Sequence, residues 1–334
     1  MMTIEDLFQK IQLTQKKDVK LYFVTRAIKQ GVTKRTPAKD KFLFHVFQMD
    51  CNDEVRSYLY DASINQLDKT IKKNYEMVDY DVLSDETEHL FTYSIQNKVF
   101  SFNDVVTNQL LRSVPKVTSI ANLTENEDLW AYCVEFFNEE TSERIFTFRK
   151  ILPSKVGVDE KAKSWIRAKF NTDSQQLSLL KEETVNLDEQ IDCIYHHETF
   201  YVFKKTYFEQ IVGLQEEYKE KANEIADNLV DSGHFSGGEK LKELIEKKPS
   251  IHKKLIKVEK LGVYKDLTPK VINKMKRVLK KYGETLPIIN DKLSIESEDD
   301  IDTILKAFGD YYKIGEISRK PYGTFAGKEL QIVE

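Results

Sequence analysis

With 334 residues, 40% of them hydrophobic and 11% aromatic, the chain has material for two domains with sizeable cores, and its 32% charged residues favour solubility. No run approaches the ~20 apolar residues of a membrane-spanning helix, and the acidic start MMTIEDLFQK lacks the charged-then-apolar pattern of a signal peptide. Cys51, Cys133 and Cys193 are odd in number, far apart and without a CxxC, so they suggest neither a disulfide framework nor a zinc knuckle, and a cytoplasmic chain is expected.

Thr3, with Asp6 at the reciprocal position, caps a first helix whose apolar face is Ile4, Leu7, Phe8 and Ile11. VKLYFVTR (19–26) and KFLFHVFQ (41–48) are rich in β-branched and aromatic residues and read as strands, joined by the basic loop KQGVTKRTPAK. SINQLDKTIKK (63–73) reads as a short helix, and YEMVDYDVL (75–83) and HLFTYSI (89–95) as strands. DLWAYCVEFF (128–137) and RIFTFRK (144–150) make a hairpin through NEETSE. SWIRAKF (164–170) adds a strand, and IDCIYHHETFYVFKK (191–205) doubles back at a tight turn near His197-Glu198. Residues 1–206 therefore form a mixed α/β sheet domain.

Residues 207–231 are helical, with Phe208, Ile211, Val212, Tyr218, Ala222, Ile225 and Leu229 at helical spacing. Ser236-Gly237-Gly238 is a flexible joint that opens a helix from Glu239 to about Lys248. Pro249 stops that helix, Ser250 caps the next, and Gly262 ends it. Thr268 caps a third helix with Pro269 at its first position and Gly283 beyond its end. LPIIN and KLSI form a strand pair, and DDIDTILKAFGDYYKIG (299–315) returns to helix. A mainly helical, basic domain over 207–334 follows, and the fold class is α+β.

The net charge of −4 conceals an asymmetry: residues 240–281 carry 15 basic and 4 acidic side chains, a net of +11. In the helix over 268–282, Val271, Ile272, Met275, Val278, Leu279 and Tyr282 form one apolar stripe, while Lys270, Lys274, Arg277 and Lys281 form a basic stripe flanked by Lys276 and Lys280. The preceding helix repeats that spacing with Lys253, Lys257 and Lys260, beside Lys254. Acidic partners at i,i+4 are nearly absent, and like charges on one face cost stability. Nucleic-acid binding through eight of these, Lys253, Lys254, Lys257, Lys260, Lys270, Lys274, Arg277 and Lys281, is the leading reading. An adaptor docking on an acidic partner and a plainly solvated face are the alternatives. Lysine dominates over arginine, which speaks against base-specific reading.

Other chemistry is hard to find. SGGE resembles the signature loop of ABC-type ATPases, but the nearest phosphate-loop string, Gly323 to Glu329, is one residue short and has Glu329 in place of the magnesium-binding hydroxyl. His196-His197-Glu198 is the one histidine cluster, and adjacent residues point to opposite faces, so no metal site is expected. For a nuclease of the restriction type, Asp192 lies on one strand, but Val202 stands where the acid before Lys204 belongs. No catalytic residues, metal or cofactor are expected; a nuclease with a cryptic site is the weaker alternative.

WIRAKFNTDSQQLSLL, IDCIYHHETFYVFKKTYFEQIVGLQEEYKEKA, IHKKLIKVEKLG and ILKAFGDYYKIGEISRKPYG together resemble the KwaB family, the soluble component of the bacterial Kiwa anti-phage system. The resemblance spans about residues 150–325. It implies a cytoplasmic protein, recruited to the inner membrane by a small integral membrane partner, that contacts DNA during phage infection. It carries no catalytic motif across and leaves a homo-oligomer open.

Overall fold

A computed structural model describes residues 2–33, 36–82, 89–96, 98, 100–117, 119–124, 127–152, 156–157, 168–171, 175–179, 184–262, 265, 267–309, 311–315 and 319–323. The chain divides into two compact units, Met1–Tyr80 with Glu86–Gly213 and Asp81–Asp85 with Leu214–Glu334. The class is α+β. Among the described residues no helix is long and apolar enough to cross a membrane.

The first unit opens with α1 (Ile4–Gln12), held by the expected Thr3–Asp6 capping box. The strands β1 (Lys20–Ile28) and β2 (Phe42–Met49) follow, then α2 (Asp53–Lys73), β3 (Glu76–Asp79) and β4 (His89–Ser94). Two short helices, α3 (Asn103–Thr107) and α4 (Ile120–Thr124), precede the hairpin β5 (Asp128–Asn138) and β6 (Glu143–Lys150). The short pairs β7 (Val156–Gly157) with β10 (Thr184–Val185), and β8 (Ala168–Asn171) with β9 (Gln176–Leu179), lie outside the main sheet; residues 164–167 of the expected strand lie outside the described residues. The hairpin β11 (Cys193–His196) and β12 (Thr199–Val202) and the helix α5 (Lys205–Val212) complete the unit.

Eight strands form one sheet in the order β2-β1-β5-β6-β11-β12-β4-β3, antiparallel throughout except for β3 beside β4. Both faces are covered, which is why these strands read as nearly continuous apolar runs. Leu21, Phe23, Val134, Phe136 and Ile194 pack with Leu7 and Ile11 of α1 and Leu59 and Leu67 of α2. On the other face Phe148, Phe200 and Tyr93 meet Phe100, Phe102 and Phe208 edge-on or tilted. Asp192 is a buried polar tie between strands. Its carboxylate accepts Arg149 Nη1–H at 2.5 Å and the Lys150 backbone N–H at 2.7 Å, and its carbonyl accepts the N–H groups of Phe203 and Lys204. The acid singled out for a nuclease is thus bonded within the sheet.

The second unit contains α6 (Leu214–Asp231), β13 (Phe235–Ser236), α7 (Gly238–Lys247), α8 (Pro249–Leu261), α9 (Pro269–Lys281), β14 (Ile288–Ile289), β15 (Lys292–Ser294), α10 (Glu298–Phe308) and a final pair, β16 (Tyr312–Ile314) and β17 (Pro321–Gly323). Its core joins Ile225, Leu241, Leu255, Leu279, Ile304 and Phe308.

Four local expectations are corrected. Residues 207–231 are two helices, because Gly213 at φ +84° ends α5 and its Cα lies so close to Ser101 that a Cβ would sit 2.4 Å from the hydroxyl. The Ser-Gly-Gly joint is built into the packed structure: Ser236 pairs in parallel with Ser294, and Gly237 caps α7 at φ +84°, where a Cβ would lie 2.0 Å from the Ile295 carbonyl oxygen. Ser250 is inside α8, which Pro249 starts with its fixed φ. The helix expected over 299–315 ends at Phe308, and β16 follows. Residues 324–329 of the phosphate-loop-like string lie outside the described residues.

His252 of α8 is buried, and its Nε2–H donates to the Ile245 carbonyl at 2.8 Å. Burial pushes the ring's pKa below its ordinary 6.5, and the Ile245 hydrogen bond offsets this only in part. The unfolded chain therefore takes up this proton first as pH falls, and the neutral ring's contribution to stability is lost downward from about pH 6.5. The melting temperature should fall between about pH 7.5 and pH 5, and His252→Gln, which keeps a donor near the Nε2 position, should show a shallower fall. An equally steep fall in the variant contradicts this assignment.

Candidate nucleic-acid interface

Thr268 caps α9 by accepting the Val271 N–H at 3.3 Å, and Pro269 fixes its first turn. Met275 and Leu279 are buried, Val271, Ile272 and Val278 are half-buried beside them, and Tyr282 stacks on Tyr312 at 4.5 Å. With 100° per residue, the opposite side of the helix holds Lys270, Lys274, Lys276, Arg277, Lys280 and Lys281, and all six are exposed. None of the six has a carboxylate within salt-bridge distance among the described residues; Arg277 Nε–H reaches only the Asn273 carbonyl, at 3.3 Å.

Eight of the other nine basic residues of the +11 segment are paired, stacked or buried inside the unit. Lys240 and Lys247 pair with Glu243, Lys242 with Asp227, and Lys248 with Glu298. The acids come from the same helix and from α6 and α10, so i,i+4 spacing alone undercounts them. The four lysines expected on α8 are engaged as well. Lys254 lies 2.5 Å from Asp302, which Lys306 also approaches at 3.0 Å. Burial raises the Asp302 pKa, and the hydrogen bonds from Lys254 and Lys306 more than reverse this, leaving it below the ordinary carboxylate value. Lys253 lies over the Tyr218 ring at 5.9 Å, Lys257 is only 8% exposed, and Lys260 lies 3.7 Å from Asp81. Of the eight residues read from the sequence, the structure brings Lys270, Lys274, Arg277 and Lys281 together on an open face and spreads the α8 four among internal contacts.

Helix polarity sharpens the contrast. Lys280 and Lys281 suit the negative C-terminal end of α9, but Lys270 sits in the first turn, where a cation is unfavourable. A helix shaped by stability alone would carry an acid there.

The expected divergence of His196 and His197 is corrected, and Glu143 joins them, which sequence reasoning missed. The rings of His196 and His197 do not diverge: both Nε2 atoms approach Glu143 Oε1, at 2.8 and 3.5 Å. The pleat rule fails because His197 is in the left-handed region at φ +43°. Glu143 is 53 residues away from His196, and only the β6–β11 register brings it there.

A family model described as Kiwa protein KwaB-like matches residues 126–318. The chain belongs to this family. The match runs from the approach to β5 through the β5–β6 and β11–β12 hairpins and all of α5–α10, and so covers α9 and its core contacts. Membership ties the chain to Kiwa anti-phage defence. No curated protein and no solved structure gives a significant match.

The two lysine sets should separate in stability measurements. Lys254→Met, which strips Asp302 of a partner, should lower unfolding free energy by about 0.5–1 kcal/mol. Changing Lys270, Lys274, Arg277 and Lys281 together to Gln should leave it within about 0.5 kcal/mol of the parent, or raise it slightly, by relieving like-charge repulsion. Denaturant titration measures both; a quadruple variant much less stable than Lys254→Met would show that the α9 cations serve the fold.

Proposed function

We propose that this KwaB-like chain is the DNA-binding effector of Kiwa defence and that α9 grips the phosphate backbone. The observation that carries the reading is the set of six exposed cations on α9 without a carboxylate partner among the described residues. A phosphate array supplies the counter-charge they lack, and release of its counterions drives binding. Five of the six are lysines, point charges with no planar fork for a base edge, so binding is independent of sequence. The contribution is binding rather than turnover; magnesium-dependent loss of a DNA substrate would move the reading to a nuclease.

Fluorescence anisotropy with several labelled duplexes at two salt concentrations tests the footprint. The α9 quadruple Gln variant should weaken binding by about tenfold or more on every duplex. The slope of log affinity against log salt should flatten by about 0.9 for each phosphate that the variant no longer neutralises. Unchanged affinity and slope would hand the reading to an adaptor that docks on an acidic protein.

A second partner, suggested by family membership, is a small integral membrane protein of the same system. The chain should sediment with membranes when that neighbour is co-expressed and remain in the supernatant without it. Equal membrane recovery in both conditions removes this partner.

A further inference from the structure

We propose that Glu143, His196 and His197 form a binding site for a divalent transition-metal ion of the zinc class, which Lys10 closes until the ion displaces it. The three residues offer ligand atoms that all lie within 4.8 Å of one another. A tetrahedral ion with bonds of about 2.0–2.2 Å holds its ligand atoms roughly 3.3–3.6 Å apart. The two histidine nitrogens already stand 2.8 and 3.5 Å from Glu143 Oε1, so binding needs side-chain adjustment and no backbone movement. Two imidazoles and one carboxylate select zinc-like ions over magnesium or calcium, which prefer all-oxygen shells.

The place where the ion's charge belongs is already served by a cation. The Lys10 ammonium donates to both Glu143 oxygens, at 2.5 and 2.6 Å. Its side chain is partly exposed and carries four rotatable bonds, so it can leave without unpacking α1. Its departure opens the fourth position to water.

The β-turn supports the same assignment. His196 pairs with Thr199, so His197 and Glu198 are the two central residues of the β11–β12 hairpin, with φ of +43° and +59°. A two-residue hairpin of this kind favours Asn-Gly. Here bulky side chains bear the left-handed strain, of order 1–3 kcal/mol each. The strain aims the His197 ring back at Glu143 while leaving the side chain 75% exposed, on the route by which an ion enters. A salt bridge built only to pin α1 to the sheet would need Lys10, Glu143 and His196, and has no use for His197.

One feature moderates the affinity. An ion on Nε2 of His196 moves the ring proton to Nδ1, which is buried with no hydrogen-bond partner among the described residues. Most ligating imidazoles have an acceptor there. That cost, with Lys10 as competitor, places the site well below a closed structural zinc site in strength.

The test titrates the full-length, tag-free chain with zinc by calorimetry, with cobalt(II) absorption reporting four-coordinate geometry. One ion per chain is expected, with no comparable binding of magnesium. His197→Ala, in an exposed turn, should keep the melting profile and weaken binding by about tenfold or more, and Lys10→Met should tighten it by about tenfold. A chain that takes up no zinc, a folded His197→Ala chain that binds it as the parent does, or a folded Lys10→Met chain that binds it no more tightly overturns the proposal.

Discussion

The burial of Met275 and Leu279 is the constraint from which the functional reading of the second unit follows. Once that stripe of α9 is committed to the core, six cations are committed to the surface on the other side. The magnitudes permit this. Five pairs among the six cations stand three or four residues apart, and each costs about 0.2–0.5 kcal/mol, so about 1–2.5 in all. Two fully buried side chains return about 1.5–3 kcal/mol each, before the half-buried Val271, Ile272 and Val278 are counted. The helix thus tolerates an unneutralised face, while Lys240, Lys242, Lys247, Lys248, Lys254 and Lys260 are absorbed into ion pairs. The segment's charge is not spread as a coat; it is left over in one place.

In the first unit, buried polar groups are tied to particular strands. Asp192 spans β6 and the start of the β11–β12 hairpin through both its side chain and its backbone. Glu135 is fully buried and accepts the Tyr22 hydroxyl at 2.7 Å, with Lys20 and Arg144 nearby at 3.5 and 3.4 Å. Asp192 is held by donors to both carboxylate oxygens, whereas Glu135 has a donor on Oε2 alone and leaves Oε1 without a hydrogen bond among the described residues, facing Arg144. Glu143, at the end of β6, follows the same pattern with Lys10 and His196. It differs because one of its neighbours, His197, is exposed and is held there at a cost in backbone strain. That difference separates a structural tie from a site that can exchange what it holds.

Much of this was legible in the sequence, for identifiable reasons. The β5–β6 hairpin was readable because its strands are aromatic and β-branched and its turn is polar. Helix α9 was readable because Thr268, Pro269 and two opposed stripes all mark the same element. Residues 207–231 were read as one helix because the apolar period continues across Gly213, and periodicity does not register the approach of Ser101. The division of the lysines was out of reach, since whether Lys254 is spent depends on Asp302, 48 residues further along. The convergence of His196 and His197 was hidden because alternation assumes an extended backbone, and a left-handed turn breaks that assumption. Local patterns thus located the elements, while long-range pairing decided which charges remained available.

The central claim, that α9 rather than the neighbouring basic helices meets DNA, is tested most directly by lysine footprinting. The chain is labelled with an amine-reactive reagent with and without duplex DNA, and the modified positions are read by mass spectrometry. DNA should protect Lys270, Lys274, Lys276, Lys280 and Lys281 while Lys240, Lys242 and Lys247 label at unchanged rates. Protection centred on those α7 lysines, or α9 lysines that label equally in both conditions while DNA is bound, would contradict the account.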